Sequence, residues 1–82
     1  MEGFQKLDVF KGVKGNGEGV VAMAIISDSA NGEVRVAEKT KDGYHEYVKP
    51  LSEISQELNG GVLIRAGKQA PSVEKARSVL SN

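Results

Sequence analysis

The stretch Gly19-Val20-Val21-Ala22-Met23-Ala24-Ile25-Ile26-Ser27-Asp28 decides the fold of this chain. Here alone, apolar side chains occupy both alternating sets of an extended chain. Val20, Ala22, Ala24 and Ile26 fall on one side, and Val21, Met23 and Ile25 on the other. A strand with one wet face alternates apolar with polar, so this run reads as a strand buried on both faces. A buried helix is the competing reading. Four β-branched residues, a glycine-rich lead-in and the Asn31-Gly32 pair just beyond favour the strand. The stretch is therefore taken as the central strand of a small sheet.

Working outward, Asn31-Gly32 between β-prone runs predicts a hairpin. The strand after it, over 33–40, turns Val34 and Val36 inward and Arg35 and Lys39 outward, with Ala37 small enough for the outer face. Asp42-Gly43 predicts a second tight turn into a strand over 44–49. Tyr44, Glu46 and Val48 share one face of that strand, His45 and Tyr47 the other, and Pro50 is expected to end it for want of a ladder donor. On the upstream side, residues 4–13 predict a first strand. Leu7, Val9 and Val13 fall opposite Lys6, Asp8 and Phe10, and this imperfect alternation points to an edge strand or a bulge near Phe10. Four glycines within residues 12–19 predict a flexible connection, centred on Gly15, Asn16, Gly17 and Gly19.

After Pro50 the apolar period changes. Leu51, Ile54 and Leu58 recur at helical spacing, and Asn59-Gly60-Gly61 supplies a stop. A short strand over 62–66 and a loop over 67–70 follow. Pro71 opens a closing helix whose apolar stripe is Val73, Ala76, Val79 and Leu80. The order β-β-β-β-α-β-α predicts one α+β domain over residues 1–82. Its frame is a small four-stranded antiparallel meander followed by α-β-α, with the helices packed on one face. The fifth strand is expected to join through a right-handed crossover beside an earlier strand.

Composition narrows the function classes. Eleven Lys plus Arg balance eleven Asp plus Glu, which argues against a protein built to coat nucleic acid or an anionic membrane. The chain has no cysteine, so a disulfide framework, a thiolate zinc site and a cysteine nucleophile are all excluded. The opening residues lack a basic region followed by an apolar one, and the longest apolar run is far too short to span a bilayer. The expectation is a soluble, cytoplasmic protein without a cofactor or a bound metal.

Three groups of residues are candidates for contact. Gly15-Asn16-Gly17-Glu18-Gly19 resembles a phosphate-cradling loop in composition only. A strand follows it where a dinucleotide fingerprint needs a helix, and the Lys-Ser/Thr ending of a P-loop is missing. Lys11, Lys14, Lys39 and Lys41 are expected to converge where two loops of the meander lie side by side, a contact for an anion or nucleic acid. Glu18, Glu38 and Asp42 at the same end oppose that use. Tyr44, His45 and Tyr47 form the densest polar-aromatic stretch. His45 and Glu46 point to opposite faces of a strand, so they make no acid-base pair, whereas Tyr47 on an edge suits the rim of a binding surface.

No serine lies in a nucleophile motif, and no residue is assigned a catalytic role. The sequence is read as a small binding module rather than an enzyme. Its expected partner is another protein, as a regulator or inhibitor of it, or a second copy of itself, as a self-associating subunit. Small cysteine-free domains are common among phage and bacterial inhibitory proteins, which is association rather than derivation. Nucleic-acid binding through the lysines is the first alternative, and a small molecule or nucleotide held by the glycine loop is the second.

Overall fold

In the computed structural model, which describes residues 3–82, the chain forms β1 (Asp8–Gly12), β2 (Val20–Ile25), β3 (Glu33–Thr40), β4 (Gly43–Pro50), α1 (Leu51–Asn59), β5 (Leu63–Gln69) and α2 (Val73–Ser81). The strands make one sheet in the order β4-β3-β2-β1-β5, antiparallel throughout. β2 is its middle strand. The sheet has five strands rather than four, because β5 extends the meander on the β1 side. β4 and β5 are thus the two edges, and α1 carries the chain between them. No helix among the described residues is long and apolar enough to cross a membrane.

The expectation that both helices share one face is overturned. Ile54, Leu51 and Leu58 of α1 pack with Phe10, Met23, Ile25, Val36 and Leu63. Ala76, Leu80 and Val73 of α2 pack with Ala24, Ile26 and Ala37. Met23, Ala24 and Ile25 alternate along one strand, as do Val36 and Ala37, so the two clusters lie on opposite faces. The doubly apolar β2 is the physical reason: each of its faces needs a cover, and one nine-residue helix supplies each. The second face is floored by Ala22, Ala24 and Ala37, small side chains that pass for tolerant surface positions until a helix is set on them. Ala37 is fully buried as a result.

Local corrections follow from hydrogen bonding. A turn over residues 5–8 takes the place of strand before Asp8, where β1 begins. The Asp8 amide donates to the Gln5 carbonyl at 3.1 Å, the Gln5 amide donates to Asp8 Oδ2 at 2.8 Å, and Leu7 has φ 77°. β1 is not an edge. Its irregularity is a register shift against β5 between Asp8 and Phe10, where β5 carries the extra residues around Gly67, φ 84°. β5 therefore runs through the expected loop as far as Gln69. A second shift between Val20 and Ala22 turns Val20 into the α1-side core and leaves Val21 exposed. Pro71 stands just before α2 rather than in its first turn, and Ser72 caps the helix, its hydroxyl accepting from the Lys75 amide at 3.1 Å. Gly12 is required by close approach, since a Cβ there would stand 1.9 Å from the Val20 carbonyl oxygen.

Candidate functional site at the edge strand

β4 keeps an unbroken register with β3 along its whole length, from Thr40 opposite Gly43 to Glu33 opposite Pro50. One hydrogen bond fixes which peptide groups face outward. The Leu51 amide donates to the Gly32 carbonyl at 2.9 Å, so that pair is of the hydrogen-bonded kind. Hydrogen-bonded pairs recur every second residue of an antiparallel ladder. Gly43, His45, Tyr47 and Lys49 therefore turn their peptide groups toward β3, and Tyr44, Glu46, Val48 and Pro50 turn theirs away from the sheet. Pro50 belongs to the strand rather than terminating it: its missing donor falls on the side where no strand waits.

The side chains of β4 divide as the alternation requires. Tyr44, Glu46 and Val48 lie toward α2. The Arg77 guanidinium grips Glu46 with two bonds, Nε to Oε2 at 2.8 Å and Nη2 to Oε1 at 3.1 Å, and Arg35 Nε stands 3.8 Å from Oε1. The Tyr44 hydroxyl donates to the same carboxylate. Arg77 and then Tyr44 hold the Glu46 carboxyl below its ordinary range, and burial pushes the Tyr44 phenol up to about 12, with the Glu46 contact adding to it. Val48 is 53% exposed beside this cluster.

On the other face Tyr47 is half-buried against the α1-side core and His45 is exposed. Lys49, two residues on, is only 1% exposed. Its ammonium contacts the Glu57 carboxylate of α1, stands 3.7 Å from Glu53 and 4.0 Å from Glu38, lies 3.9 Å from Met23 Sδ, and sits 5.8 Å from the centre of the Tyr47 ring. Burial alone would favour the neutral amine. The Glu57 contact, with the charges around it, more than offsets this and keeps Lys49 protonated. Burial raises Glu57, with Lys49 opposing and the nearby Glu18 reinforcing. Lys49, Glu53 and Glu57 are spaced four residues apart, the one sign of this cluster in the sequence, and a spacing equally common on a solvated helix face.

The predicted partner-binding residues Tyr44, His45 and Tyr47 thus share one edge strand but not one surface. Tyr44 is committed to Glu46 behind α2, whereas His45 and Tyr47 face the α1 side. The four lysines are brought together in part. The Lys41 amide donates to the Gly19 carbonyl at 3.0 Å, so the two loops do lie side by side. Lys11 and Lys39 stand across the strands on either side of Ala22, and Lys39 Nζ donates to the Asn82 carbonyl at 2.8 Å. The glycine loop is fastened from within. Asn16 Nδ2 donates to the carbonyls of Val13 and Val20 at 2.6 and 3.0 Å, and its Oδ1 accepts from the amides of Glu18 and Val20 at 3.1 and 3.2 Å. Two amides that an anion cradle would use are thereby engaged. Comparison with known proteins finds no matching family model, no similar curated protein and no similar solved structure.

Proposed function

We propose that this protein is a protein-binding module that engages its partner, or a second copy of itself, by strand addition along β4, and that it works in the cytoplasm as a regulator or inhibitor. The observation that carries this reading is the contrast between the two sheet edges. β4 is regular over eight residues and offers the outward peptide groups of Tyr44, Glu46 and Val48. β5 is bent by the bulge at Gly67 and its register with β1 is broken, a device that keeps an edge from pairing. Main-chain bonds along a regular edge supply affinity, and the flanking side chains supply selection. Exposed His45 on one side and exposed Val48 on the other suit that second task.

Val48→Pro tests the reading. It removes one outward N–H and leaves the β3 ladder whole, because the Val48 amide faces away from β3. The wild type is expected to retain a stoichiometric protein, or to self-associate as its concentration rises, in buffer treated with nuclease. The Val48→Pro protein is expected to fold and to lose that association. Association that survives the substitution refutes strand addition, and association that vanishes with nuclease moves the argument to Lys11, Lys14, Lys39 and Lys41.

A further inference from the structure

The α2 side of the sheet is only half covered. Among the described residues α2 lies mainly over β2, β3 and β4, which leaves β1 and β5 less covered on that side. Beside α2 runs an apolar groove of about 360 Å³. Small side chains floor it, Val9, Ala24 and Ala70, and Ala76, Val79 and Leu80 of α2 form its wall. Val79, 57% exposed, adds apolar surface to the wall of the groove. The apolar strip continues past the groove to Ile64, 53% exposed, which follows the α1-facing Leu63 and so faces the α2 side.

Charge around this strip has one sign. Lys68 and Lys75 stand at its rim, and Lys11 lies opposite Ile64 at its far end. No Asp or Glu lines the groove, and none of these three lysines is paired with a carboxylate among the described residues. A neutral chain has thus placed three lysines, without a carboxylate partner among the described residues, around an apolar trough. The dimensions also select an occupant. Two strand spacings give a width of about 10 Å, which matches the 8–10 Å between packed helix axes. Because of the bulge, Ile64 to Gln69 spans only the three β1 steps from Lys11 to Asp8, roughly 10 Å, the length of about two helical turns. No aromatic side chain lines the groove to stack on a nucleic-acid base.

We infer that the groove seats an acidic amphipathic helix of a partner protein, lying beside α2 and completing the second helical layer. Leucine-sized side chains at helical spacing fill the alanine-floored trough, and carboxylates on the flanks meet Lys68 and Lys75 on one side and Lys11 at the end. This surface lies toward the β5 edge, so the inference stands or falls independently of strand addition at β4.

The probe is a random peptide library, each member about sixteen residues long, selected by display against the intact protein and against its Lys68→Glu/Lys75→Glu variant. Both substitutions are at exposed positions, and circular dichroism verifies the fold. Enriched peptides are expected to carry apolar residues at i, i+3 or i+4, and i+7, with an excess of Asp and Glu. Their affinity for the double variant is expected to fall about tenfold or more, and their amide shift changes to cluster at Val9, Ile64, Lys68 and Val79. Enriched sequences without that spacing or acidic excess, or with equal affinity for the variant, overturn the inference, as do shift changes centred on β4. Decanoate occupying the groove where no selected peptide competes assigns it to a small anionic amphiphile instead. Self-association abolished by the double variant assigns it to a second copy.

Discussion

Replacing Lys49 by Met tests what the buried ion pair contributes. The side chains are close in volume and both suit a strand packed on a helix, so packing changes little. The electrostatics change sharply. The Lys49 side chain is 2% exposed and that of Glu57 7% exposed, and Glu38 and Glu53 stand within 4.0 Å of the same ammonium. Removing the cation leaves Glu57 buried without compensation, which costs about 3–5 kcal/mol. An 82-residue domain is worth about 4–12 kcal/mol in all, so the single substitution removes anything from about a quarter of the stability to the whole of it. Adding Glu57→Leu to Lys49→Met is expected to recover most of the loss, since a buried pair exchanged for apolar side chains is close to neutral. The loss in Lys49→Met is also expected to shrink as pH falls, because protonating Glu57 discharges the orphaned group. Urea unfolding followed by circular dichroism, with an unchanged m value, measures each step. A Lys49→Met protein that loses under about 1 kcal/mol at pH 7, or a double variant less stable than the single one, refutes the reasoning.

Other outcomes are expected from single positions. Ile25→Asp unfolds the domain, since an unpaired carboxylate at this fully buried position of the middle strand costs several kcal/mol; a cooperative native melt would contradict β2 as the centre. In a Tyr47→Phe protein, the remaining phenol titrates near pH 12 by ultraviolet absorbance, and a midpoint near 10 would contradict the Tyr44–Glu46 contact. The sign follows from the raised value: the stability Tyr44 contributes is complete below pH 10 and is lost as pH rises through 12. The contribution of Glu46 runs the other way. It is present above the ordinary carboxylate range and lost as pH falls through the depressed value, and Arg77→Ala flattens that acid limb in a pH series of urea melts. Asn16→Ala removes four hydrogen bonds at once and is expected to cost about 2–4 kcal/mol by urea melt, whereas a cost under about 0.5 kcal/mol would show that the loop does not depend on them.

Much of the frame is legible in the residues. β3 runs over 33–40 as the alternation predicts, and the two short turns around Asn31-Gly32 and Asp42-Gly43 announce the meander. The doubly apolar run at Val20–Ile26 already implied a cover on each side, yet the alanines under α2 look like surface residues that happen to be small. Small side chains on a face signal either solvent or a close-packed helix, and periodicity does not separate the two. The extent of β5 was hidden by Gly67, which reads as a loop and acts as a bulge. Of the candidate site, the faces of Tyr44, His45 and Tyr47 follow from alternation. That β4 forms an edge does not, because edges are set by where β5 docks. The burial of Lys49 is not legible, because a lysine beside a proline is an ordinary surface signal and only the tertiary fold brings Glu57 onto it.

The strand order also sets an order of assembly. β3 closes onto β4 through a two-residue turn, Lys41-Asp42, and β2 onto β3 through a connection of seven residues. The seam between β1 and β5 is of another kind: Phe10 lies opposite Arg65, so its closure must gather more than fifty residues of chain. Loop entropy makes that ring the costliest to close, and its contacts reward the chain only after the cost has been met. The hairpins are therefore favoured to collapse first, with the β1 flank left open as a transient edge until α1 delivers β5 to it. During that interval the doubly apolar β2 is shielded by β3 and β1 alone, and the speed of closing this last seam governs how long the nascent sheet stays adhesive.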